Sequence, residues 1–335
     1  MERYSRQSVF SEIGLDGQKK LLQSRVVIIG MCALGTVAAN NLCRAGVGYI
    51  RLVDRDYVEL SNLQRQILFN EDDARNKLPK AAAAVNHLSK VNSEITLEPV
   101  ITDVNSGNIE KIISGVDLVL DATDNFEIRR LINEACCKLQ IPWIYCGALG
   151  SQGMTMNFTQ DENTPCLRCF MGEKVASHDT CSSFGVLNML TSTMASIQTA
   201  EAVKILLGAK TIRKNLLTLD LWSSEFSTIT ITKDPNCPVC VHNKYEYLGK
   251  NIGSYSTSIC ATDSIQIMPP RPVEVNFTVM EERLAKSGTV KNNGFALIFS
   301  NGTHEIILFR DGRAMIKNAI DENNAKSIYT EYIGL

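Results

Sequence analysis

Two Cys-x-x-Cys pairs, Cys166/Cys169 and Cys237/Cys240, are the most pointed chemical signal in this chain. Four thiolates in two close pairs satisfy a tetrahedral Zn²⁺ and leave no open position, so the site they imply is structural. Pro165 and Pro238 suit the tight turns that such pairs need. Two other readings stay open from spacing alone: disulfides, or four unrelated thiols. His242 could also replace one cysteine as a ligand.

A second group of residues suits phosphate chemistry. Gly30-Met31-Cys32-Ala33-Leu34-Gly35 lies between an apolar run and a helical pattern, where backbone N–H groups and a helix dipole converge on an anion. The usual fingerprint is G-x-G-x-x-G, and Cys32 stands at the middle glycine, so its Cβ takes room from the phosphates. A tight strand–helix turn without ligand is the plain alternative. Asp54, ending the second strand, stands where a carboxylate accepts bonds from ribose hydroxyls. An NAD-dependent oxidoreductase reads the same up to this point. Beyond it, Asn62 and Arg65 follow in SNLQRQ, Lys80 opens a helix, and Asp124 lies in DATDN. Two cations, an amide and a carboxylate suit a triphosphate with Mg²⁺, the cations neutralising phosphate and the carboxylate holding the hard metal. Hydride transfer needs no such clamp.

These residues are far apart in sequence, so the elements between them must bring them together. Arg25–Gly30 reads as a buried strand, Ala33–Ala45 as a helix ended near Gly46, and Tyr49–Asp54 as the strand closing a βαβ unit. Pro79–Val91 reads as a helix, while Ile95–Val100, Val116–Ala122 and Ile141–Cys146 continue the strands. This alternation predicts an α/β fold with a doubly wound, mostly parallel, Rossmann-like sheet, in which strand carboxyl ends share one crevice. Later segments, Met154–Thr159 and Leu216–Thr232 as strands and Met194–Leu207 as a helix ended by Gly208, predict antiparallel additions. We expect residues 1–248 to form the nucleotide-binding domain with the cysteine site. Residues 249–272, rich in turn formers and holding Pro269-Pro270, read as a linker. Residues 273–335 read as a small C-terminal α+β domain: Thr278 and Glu281 as a capping box, a helix stopping at Gly288, two or three strands between Gly294 and Lys317, and a last helix from Asp321.

A net charge of −2 gives no general attraction to nucleic acid or anionic membrane. Met1–Phe10 is polar, which argues against a signal peptide, and runs such as Val26–Ile29 are too short to span a bilayer. Eleven cysteines without a disulfide framework suit a reducing compartment, the cytoplasm. Cys181 follows the polar stretch Gly172–Asp179 and is either a reactive thiol or a small buried hydrophobe. Cys260 is a weaker candidate for reactivity. Cys32, Cys43, Cys136, Cys137 and Cys146 read as core or helix-face residues.

The chain resembles the ThiF/MoeB/HesA adenylyltransferases, relatives of the ubiquitin-activating enzymes. The resemblance is carried by RYSRQ (3–7), GMCALG (30–35), LVDRDYVELSNLQRQ (52–66), KLPKA (77–81), DATDN (121–125), CLRC (166–169), TCSSFGV (180–186) and CPVC (237–240). From Ile259 to Leu335 the chain more loosely resembles the C-terminal extension of longer bacterial members. The resemblance implies ATP as substrate, Asp54 on the ribose, and Asn62, Arg65 and Lys80 on the phosphates. Asp124 would hold Mg²⁺. It implies that Arg6 reaches the phosphates of a partner subunit in a homodimer, and that Cys181 is the crossover-loop cysteine that in some members bonds covalently to the carrier. The implied reaction is adenylation of the C-terminal glycine of a small ubiquitin-like sulfur-carrier protein ending in Gly-Gly, for thiamine, molybdopterin or a related sulfur-transfer pathway. The tail shows no rhodanese cysteine loop, so a separate sulfur donor protein is expected. Rival readings are adenylation of a peptide, the oxidoreductase above, and a non-catalytic scaffold; Arg65, Lys80 and Asp124 argue against the last.

Overall fold

Strand β1 (Arg25–Ile29) is apolar and buried from Val26 onward because both its faces are covered there. In the computed structural model of the chain, which describes residues 2–172, 185–250, 256–258, 264–269 and 273–334, Val26 and Ile28 enter one core with Leu42, Leu52 and Met194. Val27 and Ile29 point the other way, into a second core with Val53, Val119 and Trp143.

Helices α1 (Ser5–Ser8) and α2 (Gly14–Gln23) precede β1. After it come α3 (Ala33–Ala45), β2 (Tyr49–Asp54), α4 (Glu71–Arg75), α5 (Lys80–Val91) and β3 (Thr96–Ile101). Then follow α6 (Ile109–Ile113), β4 (Leu118–Asp121), α7 (Phe126–Leu139) and β5 (Trp143–Leu149). These five strands are parallel, in the order β3-β2-β1-β4-β5. The order reverses between β1 and β4, which opens a crevice beyond their carboxyl ends, the usual ligand position in such sheets.

The second half adds β6 (Gln152–Phe158), α8 (Leu167–Met171), α9 (Asn188–Leu207), β7 (Leu216–Asp220) and β8 (Glu225–Ile229). Strands β6, β7 and β8 join antiparallel and complete an eight-stranded sheet, as the sequence predicts. Gly46 ends α3 in the left-handed conformation and donates to the Leu42 and Cys43 carbonyls. Helix α9 starts six residues before the expected Met194. The early turns are rich in hydroxyl residues, which are weak helix formers, but Thr191, Thr193 and Ser196 bond back to the carbonyls of Asn188, Met189 and Ser192. No helix among the described residues is long and apolar enough to cross a membrane.

Asn251–Leu335 forms a separate unit. It contains β9 (Ser256–Ser258), β10 (Ser264–Ile267), α10 (Phe277–Leu284), β11 (Thr289–Asn292), β12 (Ala296–Ser300), β13 (Glu305–Phe309), β14 (Ala314–Lys317) and α11 (Glu322–Tyr332). Its strands form an antiparallel sheet in the order β11-β12-β13-β14-β10-β9. Met280, Leu284, Ile328 and Tyr329 from the helices pack on Leu297, Phe299, Ile306, Leu308 and Ile316.

Two expectations are corrected in this unit. The stretch 249–272 does not read through as a linker, since β9 pairs with β10 and β10 with β14. Short Ser/Thr-rich strands look like loops until a neighbouring strand supplies their ladder. The helix α10 is capped by Asn276, whose side chain accepts from the Thr278 and Val279 N–H groups, and not by Thr278. Glu281 accepts from the Asn292 side chain instead of closing a capping box.

Candidate nucleotide site and cysteine cluster

Both glycines of the turn after β1 are demanded by packing. Gly30 has φ +99°, and a Cβ on it would stand 2.7 Å from the Ala122 carbonyl oxygen at the end of β4. A Cβ on Gly35 would lie 1.9 Å from the Gly30 oxygen, so α3 sits directly against the turn. Cys32 is different. As the N-cap of α3 it is extended, with φ −93° and ψ −151°, a conformation open to any residue. Its Sγ donates to the Ala122 carbonyl at 2.8 Å. Burial, then the nearby Asp124 carboxylate, pushes the thiol up to about 12, so it stays protonated at neutral pH. We therefore expect Cys32→Gly to keep nucleotide affinity equal or improve it a few-fold, because glycine is a good N-cap and returns room to the phosphates. Calorimetric titration with ATP measures this, and a tenfold loss of affinity would assign the thiol a positive role.

Asp54 anchors this turn. Its carboxylate accepts from the Met31 N–H at 2.6 Å and the Asp56 N–H at 2.7 Å, so it holds the glycine turn. Burial pushes its carboxyl up, against the pull of Lys80. Lys80 opens α5 with its side chain buried, 3.4 Å from Asp56 Oδ2. Burial opposes its charge, yet Asp56 and then Asp54 outweigh burial and hold the ammonium well above its usual range. The group is thus a preorganised buried cation.

Asn62 is buried in a 3-10 turn, Leu60–Asn62, and its Oδ1 accepts from the Glu59 N–H at 3.1 Å. Arg65 is half-buried and donates to the Ser61 carbonyl. Asp124 is exposed at the apex of the loop between β4 and α7, and among the described residues its carboxylate takes no hydrogen bond. Its charge acts on both Cys32 and Lys80, raising each.

Arg6 is not brought to this group within its own chain. It lies exposed on α1, where its neighbour Gln7 donates to the Ala45 carbonyl at the C-terminal end of α3. The glycine turn is at the opposite end of that helix, about 20 Å away along its 13 residues. Cys181 and Cys260 lie outside the described residues.

Three contributors escaped the sequence reading: Asp56, Arg129 and Gln198. Gln198, buried on α9, donates to the Asp121 and Ile144 carbonyls and so ties the ends of β4 and β5. Asp56 had a usable signal, since it lies two residues after Asp54. The other two are mid-helix polar residues that only packing reveals.

The four cysteines of the paired motifs converge. Their Sγ atoms lie within 4.8 Å of one another, with Cys166–Cys237 at 3.7 Å and Cys169–Cys240 at 3.6 Å. Ligands 2.3 Å from a tetrahedral zinc stand about 3.8 Å apart, so the spacing fits that ion, whereas a disulfide needs about 2.05 Å. His242 is exposed and outside the group. A fifth cysteine, Cys137 on α7, is buried against the cluster. The same helix sends Asn133 to the Leu167 N–H at 2.9 Å and Glu134 to the N–H groups of residues 246–248.

A tight glycine turn at the switch point, a charged buried lysine and an exposed loop carboxylate describe a nucleotidyl-transferring enzyme. The chain belongs to the ThiF family, whose profile matches residues 4–239, and it is an adenylyltransferase. It is 37% identical over 335 residues to the sulfur carrier protein ThiS adenylyltransferase of Bacillus subtilis, covering 99% of each chain. It is 38% identical over 238 residues to the Escherichia coli enzyme of the same name, covering 71% of this chain and 94% of that one. To the E. coli molybdopterin-synthase adenylyltransferase it is 35% identical over 244 residues, covering 72% and 96%. Among solved structures, E. coli MccB with ATP shares the fold with a TM-score of 0.63 at 23% identity, covering 71% of this chain and 74% of that one.

Proposed function

We propose that this chain uses ATP to adenylate the C-terminal glycine carboxylate of a small ubiquitin-like sulfur-carrier protein ending in Gly-Gly. The observation that carries this reading is the match to the B. subtilis ThiS adenylyltransferase along 99% of both chains, tail included. In the first step a carboxylate oxygen of the carrier attacks the α-phosphorus of ATP. The bond to the bridging oxygen breaks, and pyrophosphate leaves with the electron pair. Sulfur at the sulfide level, supplied by the donor, then attacks the acyl carbon, the bond to the AMP oxygen breaks, AMP departs with the electron pair, and a thiocarboxylate remains. If the sulfur arrives as a protein persulfide, an acyl disulfide forms first and an external thiol reduces it to the thiocarboxylate.

Lys80 and Arg65 neutralise phosphate charge, and the amide of Asn62 orients a phosphate oxygen. Asp54 holds the glycine turn and accepts from the ribose. Rate enhancement comes from in-line positioning and charge neutralisation. Asp124, an exposed carboxylate whose charge reaches Lys80, suits Mg²⁺, and the ion would supply positive charge against the phosphates. Cys166, Cys169, Cys237 and Cys240 would hold a structural Zn²⁺. Arg6, a helix length from its own glycine turn, would serve the site of a second copy in a homodimer. A cytoplasmic setting would keep the four paired thiols reduced for the metal. Edge strand β8 is exposed along its length, and with Trp222 it offers an apolar rim for the carrier's body.

ATP–pyrophosphate exchange against a panel of Gly-Gly-ending carriers from the same genome tests the reading. One carrier should stimulate exchange strongly. Tight NADH binding with no exchange for any carrier overturns it.

Cys181 serves the sulfur half of this cycle, because no thiol enters adenylation. We expect Cys181→Ser to keep pyrophosphate exchange within about twofold, while any covalent carrier adduct disappears and thiocarboxylate forms at least tenfold more slowly. Mass spectrometry of the carrier after a complete reaction decides this. Wild-type thiocarboxylate formation by the variant makes Cys181 a bystander and the donor's sulfur the direct nucleophile.

A further inference from the structure

We propose that Arg129 is a positioning residue that sets where the Asp124 carboxylate stands, an inference that rests on the adenylation reading above. Arg129 is in the second turn of α7, and its guanidinium is buried beneath the loop that carries Asp124. Nε donates to Asp121 Oδ2 at 3.1 Å, and Nη2 donates to the Thr123 carbonyl and, at 3.4 Å, to the Cys146 carbonyl. The other Asp121 oxygen accepts from the Thr123 N–H at 2.9 Å and its hydroxyl at 2.7 Å. On the far side Asn125 is fixed as the N-cap of α7, accepting from the Glu127 and Ile128 N–H groups.

Residues 121, 123 and 125 are thereby tied down, and Asp124 is left at the apex with an exposed carboxylate. The Phe126 and Tyr145 rings lie 5.0 and 5.1 Å from the guanidinium carbon and hold it from the sides. A planar fork is needed to bond both the Asp121 carboxylate and the Thr123 carbonyl in fixed directions, and lysine, a point donor, cannot reproduce it. The device acts on catalysis because a metal-binding carboxylate must stand within a fraction of an ångström of its productive place. Arg129 reaches the chemistry only through this loop.

The test is Mg²⁺ titration of two signals for wild type and Arg129→Lys, ATP binding followed by calorimetry without carrier and pyrophosphate exchange with the cognate carrier, each normalised to folded protein by thermal denaturation. We expect the Mg²⁺ midpoint to rise at least tenfold and kcat to fall at least tenfold, with KM for ATP within threefold of wild type. A purely structural residue would lower the folded fraction and leave both values per folded molecule unchanged, and that result overturns the proposal. Should the lysine variant not fold, the double variant Asp121→Asn/Arg129→Gln, which removes the buried charges together, is read by the same two values. Wild-type exchange that proceeds equally without Mg²⁺ overturns the adenylation-site reading itself. An unmoved midpoint in the variant, with wild type dependent on Mg²⁺, sinks only the role of Arg129.

Discussion

Replacing Asp124 by asparagine is expected to lower carrier-dependent pyrophosphate exchange about 10³-fold while moving the melting temperature by no more than a few degrees. The carboxylate is exposed and takes no hydrogen bond among the described residues, so an isosteric amide disturbs little of the fold. On the reading proposed above, its negative charge holds the hard cation. Metal stabilisation of the transferring phosphoryl group is worth several kcal/mol, and about 4 kcal/mol corresponds to that factor. Lys80 stays charged in the variant, since Asp56 and Asp54 act on it more strongly than Asp124 does. The loss is therefore a loss of metal and not of the phosphate cation. Exchange at a near wild-type rate, with folded protein verified by circular dichroism, would mean that the metal is held elsewhere.

Removing the cluster metal should damage the fold more than any surface substitution. We expect one zinc per chain by metal analysis. Strong chelation, or Cys237→Ala at a fully buried ligand, should lower the melting temperature by about 10 °C or more. That follows from a cost of about 4–5 kcal/mol at roughly 2–4 °C per kcal/mol for a domain of this size. The cluster joins the start of α8 to the turn at residues 237–240, and α7 is bonded to both flanks through Asn133 and Glu134. Without the ion, four close thiols face one another, and the bonds from α7 are left to hold the two segments together. Purified protein with no zinc, or an unchanged melting curve after chelation, rules the structural ion out.

How far the sequence carries depends on the kind of signal. Strand β2 and helix α3 start and stop at the expected residues, because an apolar run, a glycine C-cap and helical periodicity are local causes that act wherever they occur. The stretch before residue 272 was illegible for the opposite reason. Strand β10 pairs with β14 across about fifty residues, and its four residues, Ser264–Ile267, are too short a run to stand out among the turn formers around them. The same asymmetry separates α9, where hydroxyl groups bond backwards along the helix, from the turn-and-helix boundary suggested by propensity.

Sequence alone determined the chemical inventory of this protein: a glycine turn after β1, a carboxylate ending β2, two cations, a loop aspartate and four paired thiols, each specified by type and spacing. Only the tertiary structure decided what each group is bonded to. It turned the Cys32 thiol toward Ala122, gave Asp54 a second duty at the glycine turn, and set Lys80 against Asp56. It also brought Cys137 to the cluster and slid Arg129 beneath Asp124. Spacing controls which groups can approach along one element, whereas burial and the partners of a buried charge arise from contacts between elements distant in the chain.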